Sequence, residues 1–358
     1  MAAVNEELLD AAVRHQIHLG RYATGLVRRI IAVLNETDAD IVDQIIKVDP
    51  TGAGGSWSLK RLNRLLEDIR AINSDAYKLL RQRARQELGE LAVYEADFQA
   101  RVLRTTIKLD LNITQPTRQM LVAVVNERPI RGALLKDWVA ELSRGRQRQV
   151  ESAIRIGLVE GETIDQIVKR VRGTRALQFK DSALALSRRH TEAFVRTAVN
   201  HTATGARELL YQENNDLMKG VKWVSTLDGR TTPVCRARDG KVYPVNAGPR
   251  PPAHIGCRSA TSPIVKSWEE LGFSLGEMDA GTRASMDGQV PADLTYGPWL
   301  KRQPVEFVDD VLGKTRSQLF RKGDLAIDKF VDDKGRPYTL DELRQWEAGA
   351  FADAHIHT

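Results

Sequence analysis

Cys235, His254 and Cys257 are the residues of this chain best suited to chemistry, and all three fall in the stretch TTPVCRARDGKVYPVNAGPRPPAHIGCRS, Thr231 to Ser259. Thiolates and neutral imidazoles bind zinc tetrahedrally, and an H-x-x-C turn can present His254 and Cys257 to one ion while Cys235 returns from the far end of the loop as a third ligand. A structural zinc takes four ligands. The chain has 2 Cys, so the fourth must be Asp228, Asp239, His190, His201 or a water. Two other readings stay open at this level. The thiols pack reduced in a loop stiffened by Pro249, Pro251 and Pro252, or they close a disulfide. A metal with an open position would acidify a bound water and create a hydrolytic or nuclease centre, with Asp228 or Asp239 as the base. Against that reading, the sequence contains no H-E-x-x-H helix, no deaminase pattern, no G-x-S-x-G elbow and no P-loop. The expectation is a non-enzymatic protein that requires no cofactor, with zinc as the alternative.

The chain has 358 residues, 42% of them apolar and 28% charged. That is enough for more than one domain, at roughly 100 to 200 residues each, and too apolar for a largely disordered chain. The longest apolar run, Met120 to Val125, is far short of the ~20 residues a membrane-spanning helix needs, so no span is expected. The N-terminus is acidic and then amphipathic, unlike a secretory signal, which points to synthesis in the cytoplasm. A reducing compartment favours thiols or metal ligands over a bridge.

Net charge is +6, and the excess concentrates between Arg131 and Arg196. Arg144, Arg146, Arg148, Lys169, Arg170, Arg172, Arg175, Arg188 and Arg189 are the candidates for facing a polyanion such as double-stranded DNA. The competing reading is a set of solvated helix faces, because no aromatic residues alternate with the basic ones as a single-strand groove would require.

These residues must be positioned by a mainly helical chain. Leu8, Ala12, His15, Leu19, Tyr22, Leu26, Ile30 and Leu34 recur every three or four positions and predict a helix over about 5–34, with His15 packed on its apolar stripe. A short second helix follows, and then the Gly- and Ser-rich linker from Val48 to Ser58. Leu62, Leu66, Ile69, Ala76, Leu80, Ala84, Leu88 and Leu91 predict a long helix to about Leu103. Residues 1–115 thus read as an elongated helical assembly region. Residues 116–220 read as a basic helical region, with short helices over 131–173, Thr163 as an N-cap, and a helix pair over 176–214. Residues 221–266 form a small α+β part: VKWVST and RSATSPIV read as short antiparallel strands flanking the Cys/His loop, and Asp228-Gly229 as a tight turn. Residues 267–358 begin with a Gly-rich connection and continue as a helical extension in which Thr339 caps a helix.

Taken in order, Arg196-Thr197, Trp223, Asp228-x-Arg230, Cys235 and Pro251-Pro252-x-His254-x-x-Cys257-Arg258 resemble the C-terminal domain of the Mu F-like phage head morphogenesis proteins, also called minor head or minor capsid proteins. Many members follow the final Cys-Arg with another cysteine, whereas Ser259 stands here, which removes the simplest fourth thiolate. The resemblance implies a structural role in a tailed-phage head. The partners would be the portal, major capsid or scaffolding protein, the location the inside of the virion, and the DNA contact one that persists as the genome leaves. A metal-dependent hydrolase or nuclease and a DNA-binding protein are the alternative functions.

Overall fold

The computed structural model describes residues 2–49, 58–107, 112–174, 176–177, 179–271 and 281–356. In chain order the helices before the first strand are α1 (Ala2–Val48), α2 (Leu59–Ile107), α3 (Arg118–Glu127), α4 (Leu135–Val159), α5 (Ile164–Arg172) and α6 (Ala183–Glu213). The small sheet region follows, with β1 (Met218–Val224), α7 (Pro233–Arg238), β2 (Val242–Tyr243) and β3 (Ala260–Val265). A hairpin, β4 (Thr282–Ser285) and β5 (Gly288–Pro291), precedes α8 (Tyr296–Lys301), α9 (Val305–Leu312), α10 (Lys314–Arg321), a 3-10 turn (Ile327–Phe330), α11 (Leu340–Trp346) and α12 (Ala348–Asp353). The fold is mainly α with a small antiparallel sheet near residues 221–265, as the patterning predicts; the second sheet, the β4–β5 hairpin, lies in the segment expected to be helical. No helix among the described residues is long and apolar enough to cross a membrane.

Several boundaries differ from the sequence expectation. The predicted second helix is continuous with the first, so α1 runs for 47 residues. The polar stretch around Asp38 does not interrupt it, because Ile41 and Ile45 are fully buried beyond it and Asp38 has arginine partners. The short helices expected over 131–173 resolve into α4, a single helix of 25 residues, and α5. The expected pair over 176–214 is one helix of 31 residues. Thr163 and Thr339 both form full capping boxes, with Gln166 and Glu342. Most of the Val48–Ser58 linker, and much of the connection after Ser267, lie outside the described residues.

Two compact units share the chain. One comprises residues 20–93 and 118–202. Its core joins Ile41 and Ile45 of α1, Leu62, Leu65 and Ile69 of α2, Val150 and Ile154 of α4, Ile167 and Val171 of α5 and Leu184 of α6. Buried among these helices, the Asp38 carboxylate accepts from Arg146 at 2.6 Å and from Arg188. Burial pushes the Asp38 carboxyl upward, and Arg146 and Arg188 offset only part of that rise.

The other unit comprises residues 1–19, 94–117 and 203–358. Its three-stranded antiparallel sheet has the order β2-β1-β3, with Val221 opposite both Tyr243 and Pro263, and Trp223 opposite Thr261. Pro263 is tolerated because β3 is an edge strand. Gly220 is required where β1 meets β2, since a Cβ there would lie 2.7 Å from the Tyr243 carbonyl oxygen. One core packs Leu8, Leu103, Leu210, Tyr211, Val221 and Val265 together; a second joins Leu227 to Tyr296, Trp299, Leu319, Phe320 and Leu343 of the C-terminal helices.

A buried polar network runs through this unit. Glu95 of α2 accepts from His15 of α1 at 2.5 Å, from Arg207 of α6 at 2.5 Å and from Gln99 at 2.9 Å, and Tyr211 donates to Gln99. His15 packs as the helical pattern predicts, with its ring stacked 3.8 Å from that of Phe98. Its carboxylate partner leaves no trace in that pattern.

Candidate functional site

The loop from Thr231 to Ser259 is more ordered than its proline content suggests. Pro233, at the first position of α7, supplies a preset φ and lacks only an N–H that the helix start would leave unpaired. Cys235 therefore sits in a helical turn. At the other end of α7, Gly240 takes φ +80 and donates its N–H to the Trp223 carbonyl at 2.9 Å, which turns the chain back into β2. Beyond β2, Arg250 donates to the carbonyls of Pro244, Val245 and Ala247 and pairs with the buried Glu208. The Pro251-Pro252 peptide bond is cis, and the Cys257 N–H closes a turn on the His254 carbonyl at 3.2 Å just before β3.

These local devices bring three of the predicted residues together. Cys235 Sγ lies 3.4 Å from His254 Nε2 and 3.7 Å from Cys257 Sγ. All three ligand atoms fall within 4.8 Å of one another. Both cysteines are buried and unbridged, resting with Trp223, Val234 and Tyr243 in one apolar cluster. A disulfide would bring the sulfurs to about 2.05 Å, so the bridged reading does not describe this state. The hydrogen bond between the thiols sets their electrostatics: it raises the Cys235 thiol above its ordinary value and lowers Cys257, with His254 assisting the latter. Beneath them Ser225 accepts from Trp223 Nε1 at 3.0 Å, donates to the Cys235 carbonyl at 2.8 Å and lies 3.3 Å from Ser259 Oγ. Ser259 is thus a buried member of this hydrogen-bonded floor.

The remaining ligand candidates are placed elsewhere. Asp228 is not one of the clustered residues; its carboxylate is clamped by Arg258 at 2.6 and 2.8 Å and also accepts from the Arg230 N–H and the Thr231 hydroxyl. Asp239 is turned inward, accepting from the Ser225 N–H at 2.6 Å, the Tyr296 N–H at 2.9 Å and Arg283 at 3.2 Å. Both acids are committed to fixed donors, so neither is positioned as a general base. His190 and His201 belong to the other unit, where burial and then Arg128 push the His201 imidazole down to about 4 and keep it neutral.

Arg258 makes a direct prediction. Burial raises the Asp228 carboxyl, yet the Arg258 hydrogen bonds outweigh it and hold the group below its ordinary range. A carboxylate depressed in the fold contributes stability that is present above its unfolded pKa and lost as pH falls through the folded one. Arg258→Ala is therefore expected to cost about 1–2 kcal/mol at neutral pH and to move the acid limb of the unfolding curve to higher pH. Urea unfolding across an acid-to-neutral series reads both effects, and an unchanged acid limb would remove this role for the pair.

The other motif residues have structural places. Trp223 is fully buried and Arg238 stacks over its ring at 5.3 Å. Thr197 is fully buried on α6 and donates to the Ala193 carbonyl at 2.7 Å. Arg196 pairs with Glu192 and donates to Thr24. The Arg230 side chain points outward, 82% exposed, and Pro251 is buried while Pro252 is half-buried.

The basic candidates divide sharply. Arg146 is 1% exposed and locked to Asp38, so it does not face outward; Arg188 shares the same carboxylate. Arg144 and Arg148 both bind Glu141, and Arg170 binds Glu160 and Glu162. Lys169, Arg172 and Arg189 are exposed, and Arg175 lies outside the described residues. Arg172, Arg188 and Arg189 share a cleft of about 820 Å³ with Asp38, Asp43 and Glu192, which leaves that cleft of mixed sign. Five of the nine basic candidates are thus held in ion pairs, two of them by Asp38 from outside the basic segment.

Residues 148–262 match the family described as phage Mu protein F like protein. No curated protein and no solved structure matches the chain. The matched segment reaches from within α4 to within β3, so it contains Arg196-Thr197, Trp223, the Asp228–Arg258 clamp and the Cys/His cluster. Over these residues the chain is similar to the phage Mu F-like proteins.

Proposed function

We propose that the chain is a minor head protein of a tailed bacteriophage. It acts in head morphogenesis near the portal, without enzymatic activity, and is packaged inside the virion after synthesis in the host cytoplasm. The observation that carries this reading is the family match over residues 148–262, within which Asp228 and Asp239 are both held by fixed donors. Trp223 floors the cluster, Arg258 neutralises Asp228, and Arg283 neutralises Asp239. The portal, scaffolding and major capsid proteins are the proposed partners. Contact with packaged double-stranded DNA rests on Lys169, Arg172 and Arg189, exposed basic candidates outside the ion pairs with Glu141, Glu160, Glu162 and Asp38.

Mass spectrometry of purified virions should find the chain in the particle, and an affinity-tagged copy expressed with the head genes should recover the portal, scaffold or coat protein. Absence from virions together with no recovery of any head protein would overturn the proposal. Binding of the purified chain to duplex DNA should weaken steeply with salt, as counterion release requires; salt-insensitive or absent binding would remove the DNA contact.

A further inference from the structure

The geometry points to a zinc site in this chain, with Cys235 Sγ, His254 Nε2 and Cys257 Sγ as its protein ligands and a solvent water completing the tetrahedron.

Zinc–sulfur bonds of about 2.3 Å and zinc–nitrogen bonds of about 2.0–2.1 Å at tetrahedral angles imply a sulfur–sulfur edge of roughly 3.8 Å and a sulfur–nitrogen edge of roughly 3.6 Å. The cluster has 3.7 Å and 3.4 Å on those two edges. A disulfide would demand a much shorter approach, and simple packing has no reason to converge all three ligand atoms from two separate segments. The ligand set selects the metal as well: two thiolates and an imidazole suit zinc and disfavour magnesium or calcium, which want oxygen.

The histidine is already oriented for the role. Its Nδ1 lies 2.9 Å from the Ile255 carbonyl, an oxygen that can only accept, so Nδ1 carries the proton. In the neutral ring Nε2 then presents its lone pair, and Nε2 is the atom facing Cys235. A backbone carbonyl that fixes the tautomer of a ligating histidine is the usual outer-shell arrangement at zinc. His254 is half-buried while both sulfurs are buried, so water reaches the cluster from the histidine side. Both sulfurs would bind as thiolates, each thiol giving up its proton to solvent as the ion enters. The ion would join α7 to the segment that enters β3, on top of the Ser225 and Trp223 floor.

Native mass spectrometry of the full chain, purified under reducing conditions and then given stoichiometric zinc, is expected to show one zinc per chain that a strong chelator removes, with both thiols unmodified. Cobalt in place of zinc should give thiolate-to-metal charge transfer and the intense visible bands of a tetrahedral centre. His254→Ala, at the half-buried ligand, should retain the circular dichroism of the fold and weaken zinc binding by more than the ~10–100-fold typical of outer-shell changes. Cys235→Ser and Cys257→Ser should each abolish the charge-transfer band. A folded wild-type chain that takes up no zinc overturns the proposal. So does undiminished zinc binding in a folded His254→Ala variant, or a Cys235–Cys257 disulfide that persists in the reduced preparation.

Discussion

Arg207→Ala is expected to lower the unfolding free energy of the unit that contains it by about 3–5 kcal/mol, the cost of stranding a buried charge. Arg207 and Glu95 are both fully buried, and His15 is the second side-chain partner of that carboxylate from another helix. Burial alone would raise the Glu95 carboxyl, but Arg207 and then His15 reverse it and hold the group at about 2, against 4.5 ordinarily. The sign follows from that depression: the stabilisation is fully present above about 4.5 and disappears as pH falls toward about 2. Removing Arg207 lets burial dominate, so the variant should take up a proton near Glu95 and lose stability at a higher pH than the wild type. Urea unfolding followed by tryptophan fluorescence suits the measurement, because Trp223, Trp268 and Trp299 lie in the same unit. A loss below about 1 kcal/mol would show that the charges do not depend on one another. Replacing Arg207 and Glu95 together by methionine should recover most of the loss, since a buried pair is costly to break and far less costly to replace whole.

Asp239→Ala should have an effect of similar size by a different route. Its carboxylate is the common acceptor for two backbone N–H groups, of Ser225 and Tyr296, and for the Arg283 guanidinium, itself 3% exposed. Alanine leaves all three donors buried without that acceptor, with an expected cost of about 3–5 kcal/mol. Because Tyr296 opens α8, hydrogen exchange at the start of that helix should accelerate before exchange in α6 does. Uniform acceleration along the chain would mean that Asp239 does not specifically join the C-terminal helices to the Ser225 turn. Asp239→Asn keeps an acceptor but points an amide toward donors, so it should fall between wild type and alanine.

Neither acid stood out in the sequence as a keystone. Glu95 lies in AVYEADFQA and Arg207 in TATGARE; a charge on an alanine-containing stretch of helix is the one available signal, and it names no partner. Their separation of 112 positions explains why: electrostatic pairing depends on distance in space, and the sequence records only distance along the chain. The same blindness inflated the basic face. Arg146 and Arg188 look alike as uncompensated charges until Asp38, 108 and 150 residues away, is brought to them.

The Cys/His loop shows both sides of this divide. Residue types and H-x-x-C spacing were enough to pick out Cys235, His254 and Cys257, because ligand chemistry belongs to the residue and a short turn is a local object. Helical periodicity, the N-caps at Thr163 and Thr339, and strands on either side of the loop were equally legible, since each depends on neighbours within a few positions. Tertiary structure alone decided that Asp228 serves Arg258 and Asp239 serves Arg283 and Tyr296. It also brought both sulfurs and one imidazole nitrogen within 4.8 Å of one another. Those outcomes depend on how β1, α7 and the segment before β3 pack, and packing is settled by contacts between residues that the sequence holds far apart.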